Sequence, residues 1–207
     1  MLIQWYPGHM AKAKRMLEEN LKLVDVVAEV VDARAPIASR NPDFDQLFKQ
    51  KKRIIILNKS DLASSDITKA WIDFYKKNDI LAIEFIATNS KNKKRATDLF
   101  EHASAELVRR MREKGIHKTV RIMICGIPNV GKSAFINCIA GGSRAQIGDK
   151  PGVTRGKQWV AITPYLELLD TPGLLWPKLE NEDFARHLAY TGAIKDDIMD
   201  YEVLAAE

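Results

Sequence analysis

The sequence predicts an α/β fold built on a mostly parallel, doubly wound β-sheet with helices on both faces. The runs at 53–57 (RIIIL) and 120–125 (VRIMIC), apolar apart from one arginine each, are typical of parallel strands that are buried on both sides. Segments with strand character alternate with segments of helical periodicity along the whole chain, which is the pattern of a doubly wound sheet. A glycine-rich turn at 126–131 joins one predicted strand directly to a helix.

The predicted elements follow one another from a first helix at 11–23, which carries Met16, Leu17 and Leu21 on one side. The first strand, 25–31, comes next, and Pro36 and Pro42 mark an irregular loop after it. Apolar runs indicate the remaining strands, and helical periodicity indicates the remaining helices. The remaining helices are predicted at 43–49, 66–78, 94–114, 132–140 and 183–193, and the remaining strands at 53–57, 81–85, 120–125, 157–162 and 166–169.

Composition fits one such domain with short flanking parts. The 207 residues are 46% hydrophobic, which is enough for one core. We expect an N-terminal arm and helix at 1–23, the α/β domain at 24–195 and the start of a missing or truncated C-terminal region at 196–207. No apolar stretch approaches the roughly 20 residues of a membrane span. Cys125 and Cys138 are expected to be buried thiols rather than a disulfide, as in a cytoplasmic protein.

The segment 126–133, GIPNVGKS, fits the phosphate-binding pattern G-x-x-x-x-G-K-[ST]. Its glycines allow backbone N–H groups to close on a triphosphate, and the N-terminus of the following helix faces the phosphates. Lys132 is expected to bridge the β- and γ-phosphates, and Ser133 to bind Mg²⁺. The alternative is a glycine-rich turn without a ligand, and the strand and helix on either side argue against it.

A second motif, N-K-x-D at 58–61, directly follows the predicted strand 53–57. The Asp61 carboxylate can accept hydrogen bonds from N1–H and the 2-amino group of guanine, whereas adenine leaves it unpaired. Asn58 and Lys59 are expected to shape and cover the base. A weaker match at Thr88 and Asn89 lies where a GTPase places a further base-contacting loop. At the carboxyl end of a parallel strand, the motif predicts a guanine site.

A third motif, D-x-x-G at 170–173, follows the apolar run 166–169. Asp170 is expected to hold Mg²⁺ through water, and the Gly173 N–H to sense the γ-phosphate. Thr154, in the segment PGVTRG, is the candidate switch I threonine. Leu174 and Leu175 occupy the place where a GTPase often carries a water-orienting glutamine, so intrinsic hydrolysis is expected to be slow.

The order of the motifs is that of an ordinary GTPase with its starting point moved. The chain runs N-K-x-D, base loop, phosphate loop, threonine and D-x-x-G, so the cyclic order is kept. Together with WYPGHM at 5–10 and DARAP at 32–36, these motifs resemble the circularly permuted GTPases of the RbgA/YlqF type, bacterial factors in assembly of the large ribosomal subunit. The resemblance spans residues 5 to about 195. Proteins of this type normally continue into a C-terminal helical domain, whereas only a dozen residues follow Lys195 here, so the chain is expected to be truncated unless the protein is naturally short.

This resemblance implies a GTP-hydrolysing assembly factor that is slow alone and is stimulated by the ribosomal particle. Its expected partner is the large-subunit precursor, through ribosomal RNA and proteins, and it is expected to be a monomer off the ribosome. Two other classes stay open. The first is a P-loop kinase or ATPase, but Asp61 and the D-x-x-G motif argue against this class. The other is a nucleotide-sensing module that binds RNA or protein with little hydrolysis, which Leu174 and Leu175 favour.

The expected site follows from the motifs and the resemblance. Catalytic roles are assigned to His9, Lys132, Thr154 and Gly173, and Mg²⁺ binding to Ser133, Thr154 and Asp170. His9 lies in the predicted arm and is expected to orient the attacking water, unless the arm only pins the N-terminus or touches RNA. Asn129 offers a carbonyl oxygen to K⁺, unless it only stabilises the loop. The residues expected to bind GTP or GDP are Asn58, Lys59, Asp61, Thr88, Asn89, Asn129, Val130, Gly131, Lys132, Ser133, Ala134 and Gly173.

Positive charge is concentrated before residue 178. The chain carries a net charge of +5, and residues 178–207 hold three Lys/Arg against eight Asp/Glu, which leaves +10 for residues 1–177. The main basic groups are 49–53, 91–95 and 109–118. Such runs are usually solvated faces, and the resemblance makes ribosomal RNA their expected partner, through salt-dependent phosphate contacts.

Overall fold

The computed structural model describes residues 7–143, 158–175 and 182–194, with the backbone alone for residues 7–13 and 182. The elements alternate along the chain as the sequence predicts. The strands are β1 (Val26–Asp32), β2 (Lys52–Asn58), β3 (Leu81–Glu84), β4 (Val120–Cys125), β5 (Gln158–Thr163) and β6 (Leu166–Asp170). The helices are α1 (Pro7–Leu21), α2 (Asp43–Leu47), α3 (Ser65–Lys77), α4 (Asn92–Glu113), α5 (Lys132–Ala140) and α6 (Glu182–Tyr190), with a 3₁₀ turn at Ser60–Leu62.

The six strands form one sheet in the order β3-β2-β1-β4-β6-β5. The first five of these are parallel, and β5 is antiparallel to β6 at one edge. The chain proceeds outward from β1 to β3, returns beside β1 with β4, crosses to the far edge with β5, and then comes back with β6 between β4 and β5. The strand order therefore reverses between β1 and β4, and such a switch point is where open α/β sheets bind their ligands. The predicted doubly wound fold is confirmed.

Helices cover both faces of the sheet because the central strands are apolar on both sides. On β2, Ile55 and Leu57 pack in one cluster with Tyr75 of α3, whereas Ile54 and Ile56 belong to a larger cluster. That larger cluster includes Phe135 of α5, whose ring centroid lies 4.7 Å from that of Phe85 and 6.2 Å from that of Phe100. All seven residues of β1 are buried. The core thus holds the carboxyl ends of β1, β2 and β4 in fixed register.

The predicted strand bounds agree with the structure to within one residue, and the helix ends differ more. The first helix begins at Pro7 rather than at residue 11, so the arm predicted up to residue 10 is wrong for 7–10. Proline suits the first helical position because its missing N–H has no partner there and its φ is already helical. His9 therefore lies in the first turn of α1. Residues 1–6 lie outside the described residues.

The last described helix ends at Tyr190, three residues before its predicted end. Gly192 adopts φ +72°, and the Ala193 N–H donates to the Leu188 carbonyl at 2.8 Å. This left-handed glycine with a backward hydrogen bond is a Schellman-type end. Thr154 and the predicted C-terminal region at 196–207 lie outside the described residues. Among the helices that the structure describes, none is long and apolar enough to cross a membrane.

Candidate nucleotide-binding site

The loop at 126–131 leaves β4 at the switch point and leads into α5. Gly131 has φ +92°, and a Cβ atom there would collide with the side-chain amide of Asn58, so only glycine fits. The Phe135 N–H donates to the Gly131 carbonyl at 2.8 Å and closes the first turn of α5. The N–H groups before it are the ones that a helix leaves without intrahelical partners. A helix start of this kind, on a glycine-rich loop, is an anion-binding site.

Lys132 lies in the first turn of α5 with only 8% of its surface exposed. Its Nζ donates to the Ile127 carbonyl at 2.7 Å, so the side chain folds back over the loop. Burial lowers the pKa of Lys132 to about 8, and the nearby Asp170 carboxylate opposes that effect. The ammonium is thus poorly solvated, and an anion at the loop would favour its charged form.

The guanine motif is joined to the phosphate loop by two hydrogen bonds. Asn58, at the end of β2, donates its side-chain amide to the Val130 carbonyl at 2.8 Å. Lys59 donates from Nζ to the Asn129 carbonyl, also at 2.8 Å. Lys59 has a left-handed backbone with φ 58°, which is uncommon for a residue with a side chain and directs this side chain across the loop. The two motifs predicted separately therefore form one site.

The residues that the sequence predicts to contact the base lie on exposed turns beside this junction. Asp61 is exposed on the 3₁₀ turn after β2, and that turn is tied to the segment directly after β3 because the Ser60 hydroxyl donates to the Phe85 carbonyl at 3.0 Å. Thr88 and Asn89 are exposed on the turn after β3. The Asn89 side-chain oxygen accepts from the Lys91 N–H at 3.0 Å and shapes the entry to α4.

Ser133 and Asp170 lie together at the edge of the phosphate loop. The Ser133 hydroxyl donates to an Asp170 carboxylate oxygen at 3.4 Å, and Asp170 is buried at the end of β6. The adjacent Thr171 hydroxyl donates to the Ile124 carbonyl of β4 at 2.7 Å and holds the start of the D-x-x-G motif to the sheet. A hydroxyl and a carboxylate are oxygen donors of the kind that Mg²⁺ prefers.

The end of the D-x-x-G motif packs against the phosphate loop. A Cβ atom on Gly173 would lie 2.7 Å from the Pro128 nitrogen, so this position also requires glycine. The Leu174 N–H donates to the Gly126 carbonyl at 3.2 Å. The side chains of Leu174 and Leu175 are buried in the core. They are apolar and can neither donate nor accept a hydrogen bond.

Two further hydrogen bonds connect the site to the end of α6. Asn129 donates its side-chain amide to the Gly192 carbonyl at 2.7 Å, and Arg34 donates to the Thr191 carbonyl at 3.3 Å. The residues directly after α6 thus lie beside the phosphate loop.

Sequence reasoning assigned no role to three residues that the structure brings into the site. Asp32 lies 3.1 Å from Lys59 Nζ, Arg34 pairs with Asp32 at 2.7 Å, and Asn41 donates to the Leu174 carbonyl at 3.0 Å. For Asp32 the sequence did carry a signal, because Asp32 follows an apolar strand segment just as Asn58 does. The structure then makes Asp32 and Asn58 register partners. Nothing local marked Asn41.

The predicted residues differ in how the structure places them. The loop residues 129–134, Asn58, Lys59, Asp170 and Gly173 come together at the carboxyl edge of the sheet. Thr154 lies outside the described residues. His9 is located only as a position in α1, because the structure describes no side chain there.

Comparison with known proteins agrees with this geometry. A family profile described as a 50S ribosome-binding GTPase matches residues 121–201. Ribosome biogenesis GTPase A of Priestia megaterium is 49% identical over 99% of this chain and 72% of its own length. That of Thermotoga maritima is 36% identical over 93% of this chain and 66% of its own length. The crystal structure of GNP-bound YlqF from T. maritima has a TM-score of 0.67 and 30% identity, covering 94% of this chain and 72% of that one.

The parallel sheet, the phosphate loop and the N-K-x-D junction define the class of the protein, which is a P-loop GTPase with circularly permuted motifs. The sequence relatives narrow this further. The chain belongs to the ribosome biogenesis GTPase A family, as the resemblance to RbgA/YlqF predicted.

Proposed function

We propose that this chain binds GTP, hydrolyses it to GDP and phosphate, and uses the cycle in assembly of the large ribosomal subunit. The observation that carries the proposal is the junction of the two motifs. Asn58 and Lys59 bond to the carbonyls of Val130 and Asn129, so a guanine at Asp61 places its phosphates on the loop. The relatives named ribosome biogenesis GTPase A and the 50S ribosome-binding profile support the same activity and particle.

The triphosphate is bound by the loop backbone and by Lys132. Backbone N–H groups surround the phosphates, and the Lys132 ammonium adds positive charge between the β- and γ-phosphates. Asp61 selects guanine, while Thr88 and Asn89 complete the base site from the neighbouring turn. The loop residues proposed to contribute are Asn129, Val130, Gly131, Lys132, Ser133 and Ala134.

Ser133, Asp170 and Thr154 are the proposed Mg²⁺ residues. The closeness of the Ser133 hydroxyl to the Asp170 carboxylate supports the assignment. Because Mg²⁺ keeps several waters, Asp170 is suited to act through water. When bound, Mg²⁺ neutralises charge on the β- and γ-phosphates.

The side chains near the γ-phosphate favour slow hydrolysis by the chain alone. In the reaction a water attacks the γ-phosphorus, and the bond between the γ-phosphorus and the bridging oxygen of the β-phosphate breaks. The Gly173 N–H is proposed to meet the γ-phosphate, whereas the buried Leu174 and Leu175 cannot orient the water. His9 is proposed to do so with a neutral imidazole. The ribosomal particle is proposed to stimulate turnover by ordering this arrangement.

K⁺ is a proposed second cation, at the Asn129 side-chain oxygen. The hydrogen bond from the Asn129 amide nitrogen to the Gly192 carbonyl fixes which side of the amide carries the oxygen. A carbonyl oxygen suits a hard cation. K⁺ beside the β–γ bridge would add the positive charge that other GTPases obtain from an arginine.

The proposed partner is the large-subunit precursor, bound partly through basic groups. The end of α4 supports this best, because Arg109 and Arg110 keep 67% and 60% of their side-chain surface exposed. Arg53 contributes less, since its side chain is only 11% exposed and its guanidinium pairs with the buried Glu29 at 2.8 Å. Such contacts to RNA phosphates weaken as salt rises. We propose a cytoplasmic monomer off the ribosome.

The alternative is a nucleotide-sensing module that binds RNA or protein and hydrolyses little GTP. The buried pair Leu174 and Leu175 favours it, because these apolar side chains cannot orient a water.

Multiple-turnover GTP hydrolysis with and without purified large subunits tests the proposal and separates the two functions. The proposed function predicts a slow basal rate that large subunits raise at least about tenfold, a change of about 1.4 kcal/mol in barrier. Small subunits and the Lys132→Ala variant serve as controls for contaminating activity. GTP binding without any stimulated turnover would favour the sensing module.

A further inference from the structure

A buried carboxylate lies behind the lysine of the guanine motif. Asp32, at the carboxyl end of β1, is 1% exposed and is the register partner of Asn58 at the end of β2. Its Oδ2 lies 3.1 Å from Lys59 Nζ. Arg34 donates from Nε to Oδ1 at 2.9 Å and from Nη2 to Oδ2 at 2.7 Å, and its N–H donates to Oδ1 at 3.1 Å.

The Lys59 ammonium has two partners, one on the phosphate loop and one at the end of β1. Nζ donates to the Asn129 carbonyl at 2.8 Å and is paired with the Asp32 carboxylate. The lysine therefore spans from β1 to the phosphate loop, with 26% of its side chain exposed. A lysine has four rotatable side-chain bonds, so an exposed one samples many rotamers unless its ammonium is fixed.

We propose that Asp32 is a positioning residue of the guanine-nucleotide site, which holds Lys59 extended across the place where the base binds. The inference rests on the proposed function, since it assigns a support to the same site. A lysine fixed in advance loses little freedom when the nucleotide arrives, and pre-organisation of this kind raises affinity. Because the base is common to GDP and GTP, Asp32 should affect both nucleotides equally.

The charge of Asp32 is essential to this role. Burial alone would raise the pKa of the Asp32 carboxyl, but the Arg34 hydrogen bonds and the Lys59 charge outweigh burial and lower it. An amide in its place would leave Arg34 and Lys59 close together with no anion between them. Lys59 would lose its anionic partner, and repulsion between the two cations would weaken the contact of its ammonium with the Asn129 carbonyl.

The competing explanation is that Asp32 only stabilises the turn after β1. Two contacts favour that explanation, because the Arg34 N–H donates to the carboxylate and the Asp32 N–H donates to the Ser39 hydroxyl at 2.9 Å. A purely structural role acts through the turn and does not require Lys59. The two explanations therefore differ in how Asp32 and Lys59 variants combine.

The test is a double-mutant cycle on the full chain, with dissociation rates of fluorescent N-methylanthraniloyl GDP and of a non-hydrolysable GTP analogue. We expect Asp32→Asn to speed both dissociation rates about tenfold, equivalent to about 1.4 kcal/mol, and to raise KM far more than it changes kcat. In a Lys59→Ala background the same substitution should change the rates less than about twofold. Arg34→Ala keeps the Asp32–Lys59 pair and should have a clearly smaller effect than Asp32→Asn.

Additive effects of Asp32→Asn and Lys59→Ala, unchanged dissociation in Asp32→Asn, or an equal effect of Arg34→Ala would overturn the inference. Circular dichroism and thermal unfolding check that each variant folds. If Asp32→Asn does not fold, Asp32→Glu keeps the charge but displaces it, and its faster dissociation should again vanish in the Lys59→Ala background. Failure of the wild-type chain to bind guanine nucleotide selectively would instead refute the proposed function.

Discussion

Asn41 and Leu174 are 133 residues apart in the sequence and are joined by a buried hydrogen bond. The Asn41 side-chain amide donates to the Leu174 carbonyl at 3.0 Å, while its oxygen accepts from the Asp43 N–H at 3.0 Å. The first contact lies directly after the D-x-x-G motif, and the second lies at the start of α2. One side chain thus ties the segment that follows the D-x-x-G motif to the loop after β1.

We expect Asn41→Ala to lower the free energy of unfolding by about 1–3 kcal/mol, because it leaves the buried Leu174 carbonyl and the partly buried Asp43 N–H without their partner. Urea unfolding followed by circular dichroism measures the change. Asn78→Ala is the matched control, since Asn78 donates to the Phe74 carbonyl at 2.8 Å in an exposed contact and should cost no more than about 0.5 kcal/mol. Equal losses of unfolding free energy in the two variants would show that the buried Asn41 hydrogen bond stabilises the fold no more than an exposed one.

We expect Asp61→Asn to lose selectivity for guanine and to gain affinity for xanthine nucleotides, because an amide can donate to the second carbonyl of xanthine. Equilibrium competition among GTP, XTP and ATP measures this. Asp66→Asn changes a carboxylate that is 92% exposed on α3 and should leave selectivity intact. If ATP competes with GTP within about tenfold in the unmodified protein (~1.4 kcal/mol), the guanine assignment is wrong.

Ser133→Ala should remove a proposed Mg²⁺ ligand and reduce GTP turnover at least about tenfold (~1.4 kcal/mol) with the fold intact. Hydrolysis measured over a Mg²⁺ titration, with EDTA as the metal-free reference, should show a higher Mg²⁺ requirement in the variant. The control is Ser65→Ala, an exposed serine at the start of α3. An unaltered Mg²⁺ dependence in Ser133→Ala contradicts the assignment.

If K⁺ binds at Asn129, GTP hydrolysis should be faster in KCl than in NaCl at the same ionic strength. Asn129→Ala should remove the difference because it deletes the proposed carbonyl ligand. Comparing the two salts within each variant corrects for the loss of the hydrogen bond to Gly192. Equal rates of the unmodified protein in the two salts would rule the K⁺ site out.

The role of His9 is tested by turnover in the presence of large subunits. His9→Ala should lower the stimulated kcat by about 10²-fold, the lower range for loss of a general base, with GTP affinity and subunit binding unchanged. The control is His102→Ala, which alters an exposed histidine of α4. A stimulated rate that His9→Ala leaves intact excludes the catalytic role.

The sequence predicted the sheet, its strands and the phosphate loop because those features are local. Apolar runs identified β2 and β4, and the glycines and Lys132 of the loop lie within eight consecutive residues. The start of α1 was missed because proline within WYPGHM indicates a turn as readily as a first helical position.

The sequence by itself determined which chemical groups the site contains, since the phosphate loop, N-K-x-D and D-x-x-G each require only neighbouring residues. Only the tertiary structure decided which of them meet. Asp32 reaches Lys59 because β1 and β2 pair in the register that places Asp32 beside Asn58. Asn41 lies in the loop after β1, and Leu174 lies after β6. Only β4 separates these two strands in the sheet, so Asn41 can reach Leu174. Contacts of this kind depend on strand order and register, which are set by packing of the whole core and leave no mark on local periodicity.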